Sequence, residues 1–168
     1  MTQALSLRAK RAEFDEQRRQ RLEERDNEQQ RMEFKDRRDS SIALNMAARR
    51  FRQALKNCLH EGLDARGREL EEARQEFTSR YGEAQMILSD TVLTIASAAN
   101  GRLAEAYGKV KVTPHPGALE LQKLEGFLDH EVQSVLRQLR QTMRRDLGVT
   151  HEDQVASSAV ESTTDGHA

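Results

Sequence analysis

Five histidines and a single cysteine are the side chains of this sequence best suited to bind metal or to act as nucleophile or base. Their spacing serves neither purpose. Cys58 and His60 are two residues apart, which on a helix turns them away from one another. No further Cys-x-x-Cys or His-x3-His accompanies them, so a zinc site lacks its ligands. His60-Glu61 lacks the second histidine that a metalloprotease helix requires. The plain reading is a half-buried Cys58 and an exposed His60. His115 stands between Pro114 and Pro116 as a loop residue, and His130, beside Asp129 and Glu131, reads as surface. There is no glycine-rich phosphate loop, no nucleophile elbow and no acid pair set in a credible cleft. The expectation is a protein that is not an enzyme, with no catalytic residue, no cofactor and no metal.

Arginine is the other chemical resource, at 21 residues against 6 lysines. Arg49-Arg50-Phe51-Arg52, with Arg37-Arg38 upstream, forms a basic patch in which Arg49, Arg50 and Arg52 are candidate anion-binding residues. Such a patch could meet an anionic membrane surface or nucleic acid. Nucleic acid is the weaker of the two, because acids interleave almost throughout and a net charge of -1 leaves little counterion release to drive binding. Arg37-Arg38-Asp39-Ser40 resembles the Arg-Arg-x-Ser pattern of basophilic kinases. A phosphate on Ser40 at a helix start would be favoured by the helix dipole. Thr150-His151-Glu152-Asp153 resembles an acid-directed kinase site.

The elements that would carry these residues are helices. Proline occurs only at positions 114 and 116, so the chain has one strong breaker, within a connector placed at 109–117. Residues 8–39 hold 11 basic and 10 acidic side chains, and Leu22 is the sole large apolar residue between Asp15 and Arg31. Asp15 with Arg19, Glu28 with Arg31 and Glu33 with Arg37 sit at helical pairing distance, which predicts a solvated helix without the apolar stripe of a regular coiled coil. Asp39-Ser40-Ser41 reads as the start of the next helix. From there the period is three and four: Leu44, Ala48, Phe51, Leu55, Leu59, Leu63, then Leu70, Ala73, Phe77, Tyr81, Ala84, Leu88, Val92, Ile95, Ala99, Leu103 and Ala106. Residues 86–99 carry Asp90 alone as a charge and are expected to be the best-covered stretch. Asn100-Gly101 could split this helix or be absorbed by it. A last helix spans about 118–147, with the stripe Leu121, Leu124, Leu128, Val132, Val135, Leu139, Met143, Leu147 and with Gly148 as its stop. Residues 149–168 hold four acids and no Lys or Arg, and read as a disordered acidic tail.

One third of the residues are charged and 36% are hydrophobic. This excludes a membrane span and more than one sizeable domain. The expected fold class is all-α: an elongated helical hairpin or coiled-coil-like bundle at 40–147, preceded by a charged helical arm at 1–39 and followed by a disordered acidic tail at 148–168. The stripes exceed what the 118–147 helix covers, so partner helices, from a second copy or another protein, are expected on Leu44, Phe51, Leu55, Leu59, Leu70, Phe77, Leu88, Ile95, Leu124, Leu128 and Leu139. The Arg, Glu and Gln content resembles that of coiled-coil subunits of cytoskeletal and trafficking assemblies. The expected function is a non-catalytic structural or interaction subunit of a larger assembly; the alternative is a membrane-surface-binding helical dimer using the Arg37–Arg52 patch. One cysteine suits a reducing, cytoplasmic setting. Arg8, Lys10 and Arg11 without an acid before Glu13 give a mitochondrial presequence as the minority alternative.

Overall fold

The computed structural model describes residues 2–149, with side chains for residues 10, 11 and 13–149. The tail beyond, with the Thr150–Asp153 motif, lies outside the described residues, as do the side chains of the first nine. The protein is all-α: α1 (Thr2–Glu61), α2 (Leu63–Ile87), α3 (Asp90–Val112), α4 (Ala118–Gly126), a π-helical segment (Phe127–Val132) and α5 (Gln133–Asp146). The chain divides into two units, Met1–Asp39 and Ser40 onward.

In the first unit α1 is uniformly solvated. Side chains 13–36 are all exposed, including Phe14, Leu22, Met32 and Phe34 at 43–60%. The expected ion pairs do not form among the described residues. Instead Gln29 donates to Glu33 at 2.9 Å, and Arg21 Nε donates to the Gln17 carbonyl at 3.3 Å. A neutral donor on Glu33, or a backbone acceptor for Arg21, competes well with a solvated charge pair worth only a few tenths of a kcal/mol.

The second unit folds around one apolar core drawn from α1, α2, α3, the π segment and α5, with Leu121 and Leu124 of α4 half-buried against it. Neighbouring helices alternate in direction. Asn57 meets Glu69 and Arg50 meets Glu76 between α1 and α2; Tyr107 meets Glu71 between α3 and α2; Arg102 meets Glu131 between α3 and the π segment; His60 meets Glu125 between α1 and α4. Phe51, Phe77, Tyr81 and Tyr107 form an aromatic chain through α1, α2 and α3, with centroids 5.9–6.2 Å apart. Each such contact adds about 0.5–1.5 kcal/mol to the burial itself.

Three breaks make this folding back possible, and two differ from the sequence expectation. Gly62, which the three-and-four period from Leu59 to Leu63 runs straight across, has φ 88°, where an L side chain is strained, and it ends α1. The expected continuous helix through 86–99 is interrupted at Leu88–Ser89. Ser89 is extended (φ -66°, ψ 154°), accepts from the Val92 amide at 3.5 Å and donates to Asp146 of α5 at 2.6 Å. It is an N-cap hidden in an apolar run. Residues 86–99 are consequently not covered on most sides: Met86 is 86% exposed, while Leu88, Val92, Ala96 and Ala99 are buried and Leu93 and Ile95 pack half-buried beside them. The third break is the proline connector, shorter than expected because α3 continues to Val112. Asn100-Gly101 is absorbed into α3. Asp39-Ser40-Ser41 starts no helix, since α1 runs through it and the favourable interior residues on both sides outweigh a capping preference.

The last helix contains a device invisible in the period. Its π segment widens one turn, so the buried set becomes Leu128, Val132, Leu136, Leu139 and Met143, with Leu136 replacing the expected Val135. The Leu128 carbonyl accepts from Gln133 N–H and also from Arg52 Nε at 3.1 Å.

Candidate functional site

Two arginine-rich stretches of the second unit contain no carboxylate. Residues 40–60 of α1 carry Arg49, Arg50, Arg52 and Lys56; residues 133–145 of α5 carry Arg137, Arg140, Arg144 and Arg145. The fold brings the two helices side by side, with the acids concentrated on α2, α4 and the π segment.

The arginine triplet of α1 is divided by helix geometry. Arg50 turns towards α2 and pairs with Glu76 at 2.6 Å. Arg52 turns the other way, to Asp129 and the Leu128 carbonyl of the π segment. Lys56 joins the same carboxylate at 2.9 Å, and these hydrogen bonds, from Lys56 first and Arg52 after it, hold the Asp129 carboxyl below its usual range. Of the three candidate anion-binding residues, then, Arg50 and Arg52 serve the fold.

Arg49 has no ion-pair partner among the described residues. It lines an open notch of about 70 Å³ with Asn45 of α1 and with Gln133, Leu136, Arg137 and Arg140 of α5. That is room for roughly two waters or one small oxyanion. Arg137 and Arg140 also lack ion-pair partners among the described residues, whereas Arg102, Lys109 and Lys111 of α3 all have them. Arg137, Arg140 and Arg144 are spaced three and four, so they share one face of α5. On α1 the same face as Arg49 carries Ile42, Asn45 and Met46, with Ile42 and Met46 exposed. Near the end of the last helix Arg137, Arg140 and Arg144 suit the helix dipole, and none of them was among the candidate anion-binding residues. The available signal was the absence of acids from both stretches.

The remaining candidates fall elsewhere. Leu44, Phe51, Leu55, Leu59, Leu70, Phe77, Leu88, Leu128 and Leu139 are buried by the chain's own helices, and Ile95 and Leu124 pack half-buried against that core. The surplus stripe expected to need a partner is thus covered intramolecularly, because the breaks at Gly62 and Leu88–Ser89 supply two more antiparallel segments than a hairpin has. Ser40 lies within α1, with no helix start to favour a phosphate there. Cys58 is 3% exposed rather than half-buried, and burial, reinforced by Glu69, pushes its thiol up, away from the reactive thiolate. His60 is exposed and sits 3.0 Å from Glu125; His115 and His130 are also exposed. Among the described residues no three His, Cys, Asp or Glu side chains gather as metal ligands, and no described helix is long and apolar enough to cross a membrane. No protein-family model, curated protein or solved structure matches the chain.

Proposed function

We propose that this chain is a non-catalytic α-helical interaction subunit of a larger assembly, of the coiled-coil kind that cytoskeletal and trafficking machinery uses. One observation supports the reading above others: residues 13–36 of α1 are helical with every side chain exposed, Phe14, Leu22, Met32 and Phe34 among them. A helix in water gains most of its stability from packing an apolar face. This segment packs none within its own unit, so its natural complement is another helix. The partner would cover the scattered apolar residues, while the dense alternating charges select register and identity. The interaction surface therefore shifts from the sealed stripes of the second unit to the first.

The test compares the purified chain with the protein in native extract by size-exclusion chromatography. The endogenous protein is expected in a complex well above the size of the purified chain. Replacing Phe14, Leu22, Met32 and Phe34 by serine is expected to release it, with the thermal transition of the second unit unchanged. An endogenous protein that elutes as a lone chain overturns the reading.

A further inference from the structure

We infer that the notch between α1 and α5 is a binding site for a phosphomonoester or pyrophosphate group, recognised by Arg49, Arg137 and Arg140. This proposal is independent of the role given to the first unit.

Three arginines line one small concavity, and no carboxylate lines it with them. Elsewhere in the same unit most Lys and Arg side chains are paired, among them Arg50 with Glu76, Arg52 and Lys56 with Asp129, Arg66 with Glu61 and Glu69, and Arg74 with Glu71. Lys123, Arg144 and Arg145 also have no ion pair among the described residues, but Arg49, Arg137 and Arg140 are the ones that line one concavity and leave it positive. A concave site of one sign concentrates counter-ions of the other.

The donors match a tetrahedral dianion. Each arginine offers a planar fork that takes two oxygens at once, which a lysine cannot. Asn45 and Gln133 add neutral amide N–H donors at the rim for oxygens the guanidiniums leave free. A single carboxylate carries too little charge to balance three cations. A phosphomonoester, with a charge of about -1.5 to -2 at pH 7, comes closer. The site rests on rigid elements, since its lining comes from two helices whose adjoining residues Leu44, Ala48, Leu136 and Leu139 are buried in the core.

The group could come on a soluble molecule or on a lipid headgroup. The exposed Ile42 and Met46, on the notch face of α1, would enter the interfacial region in the second case. The experiment separates them. The full chain is titrated with inorganic pyrophosphate by calorimetry, and in parallel sedimented with phosphatidylcholine vesicles containing phosphatidic acid or, at equal charge, phosphatidylserine. Pyrophosphate is expected to bind at micromolar concentration, weakening with salt. The triple variant R49Q/R137Q/R140Q is expected to lose at least 10-fold in affinity. The charge-preserving R49K/R137K/R140K should lose an intermediate amount, and R50Q, whose arginine faces Glu76, less than 2-fold. Unchanged helical circular dichroism in these surface variants shows that the fold is kept. Selective sedimentation with phosphatidic acid, reduced by M46S, assigns the lipid source; pyrophosphate binding without sedimentation assigns a soluble one. The proposal is overturned by absence of pyrophosphate binding below millimolar concentration, by equal binding to the triple variant, or by single-stranded RNA binding far tighter through the same arginines.

Discussion

Residues 2–39 and the hundred or so that follow are both helical, yet they are stabilised by different means. The helix of the first unit rests on propensity and solvation alone, since its described side chains from 13 to 36 all face water. The second unit rests on burial: Leu44, Leu55, Leu70, Phe77, Val92, Leu103 and Val132 are each sealed by neighbouring helices. Fully burying one such side chain contributes about 1.5–3 kcal/mol, whereas an exposed helical pair contributes about 0.2–0.5 kcal/mol. Helicity is therefore shared, while stability belongs to one unit. A segment that is helical without being stabilised by its own chain is well suited to being stabilised by another.

The contrast can be broken most forcefully in the core. Phe77→Ala removes the centre of the aromatic chain between Phe51 and Tyr81. It is expected to cost about 3–5 kcal/mol in urea unfolding, because the surrounding helices cannot collapse fully into the space. Ser89→Ala removes both the cap of α3 and its bond to Asp146, with an expected loss of about 1–2 kcal/mol in the same measurement. Gly62→Ala meets no neighbouring atom, so its cost is that of holding a side chain at φ 88°, about 1–2 kcal/mol.

Acid should weaken the tether between α1 and the π segment. The Asp129 carboxyl is held below its ordinary range by Lys56 and Arg52, so its contribution is complete at neutral pH. It is lost as pH falls through the depressed folded value, below the ordinary value of about 3.9. Because the carboxylate is partly exposed, the effect stays under about 1 kcal/mol. Asp129→Asn should flatten this part of the stability profile below about pH 5. The smallest effect belongs to the first unit. Phe14→Ala, at a residue 60% exposed, should change the unfolding free energy by less than about 0.5 kcal/mol.

Much of the helical class was legible because the period of three and four runs almost unbroken from Leu44 to Met143. That same continuity concealed the turns. Ser89-Asp90 is a capping pair, but it lies among Met86, Ile87, Leu88 and Val92, whose apolarity reads as more helix. Gly62 resembles Gly67 and Gly82 on the page, and only the direction of the following chain gives it a positive φ. With two breaks overlooked, the stripes look in excess and seem to demand a partner; with them in place, the chain covers itself. The notch was harder to read. Arg49 and Arg140 are distant in sequence and meet only because α1 and α5 run antiparallel. Arg50 and Arg52, which look equivalent to Arg49, are claimed by Glu76 and Asp129. The lack of carboxylates in 40–60 and 133–145 was visible, but it becomes a site only when the two helices are side by side.

One unit seals itself, and the other is proposed to take a helical complement. Native-state hydrogen exchange on the dilute, full-length chain tests it most directly, residue by residue. The account predicts slow exchange for amides around Leu44–Leu59, Phe77, Leu103 and Leu139, approaching the global unfolding limit, and exchange orders of magnitude faster across residues 13–36. Protection across 13–36 equal to that of the core, in a chain shown by sedimentation to be monomeric, would contradict it.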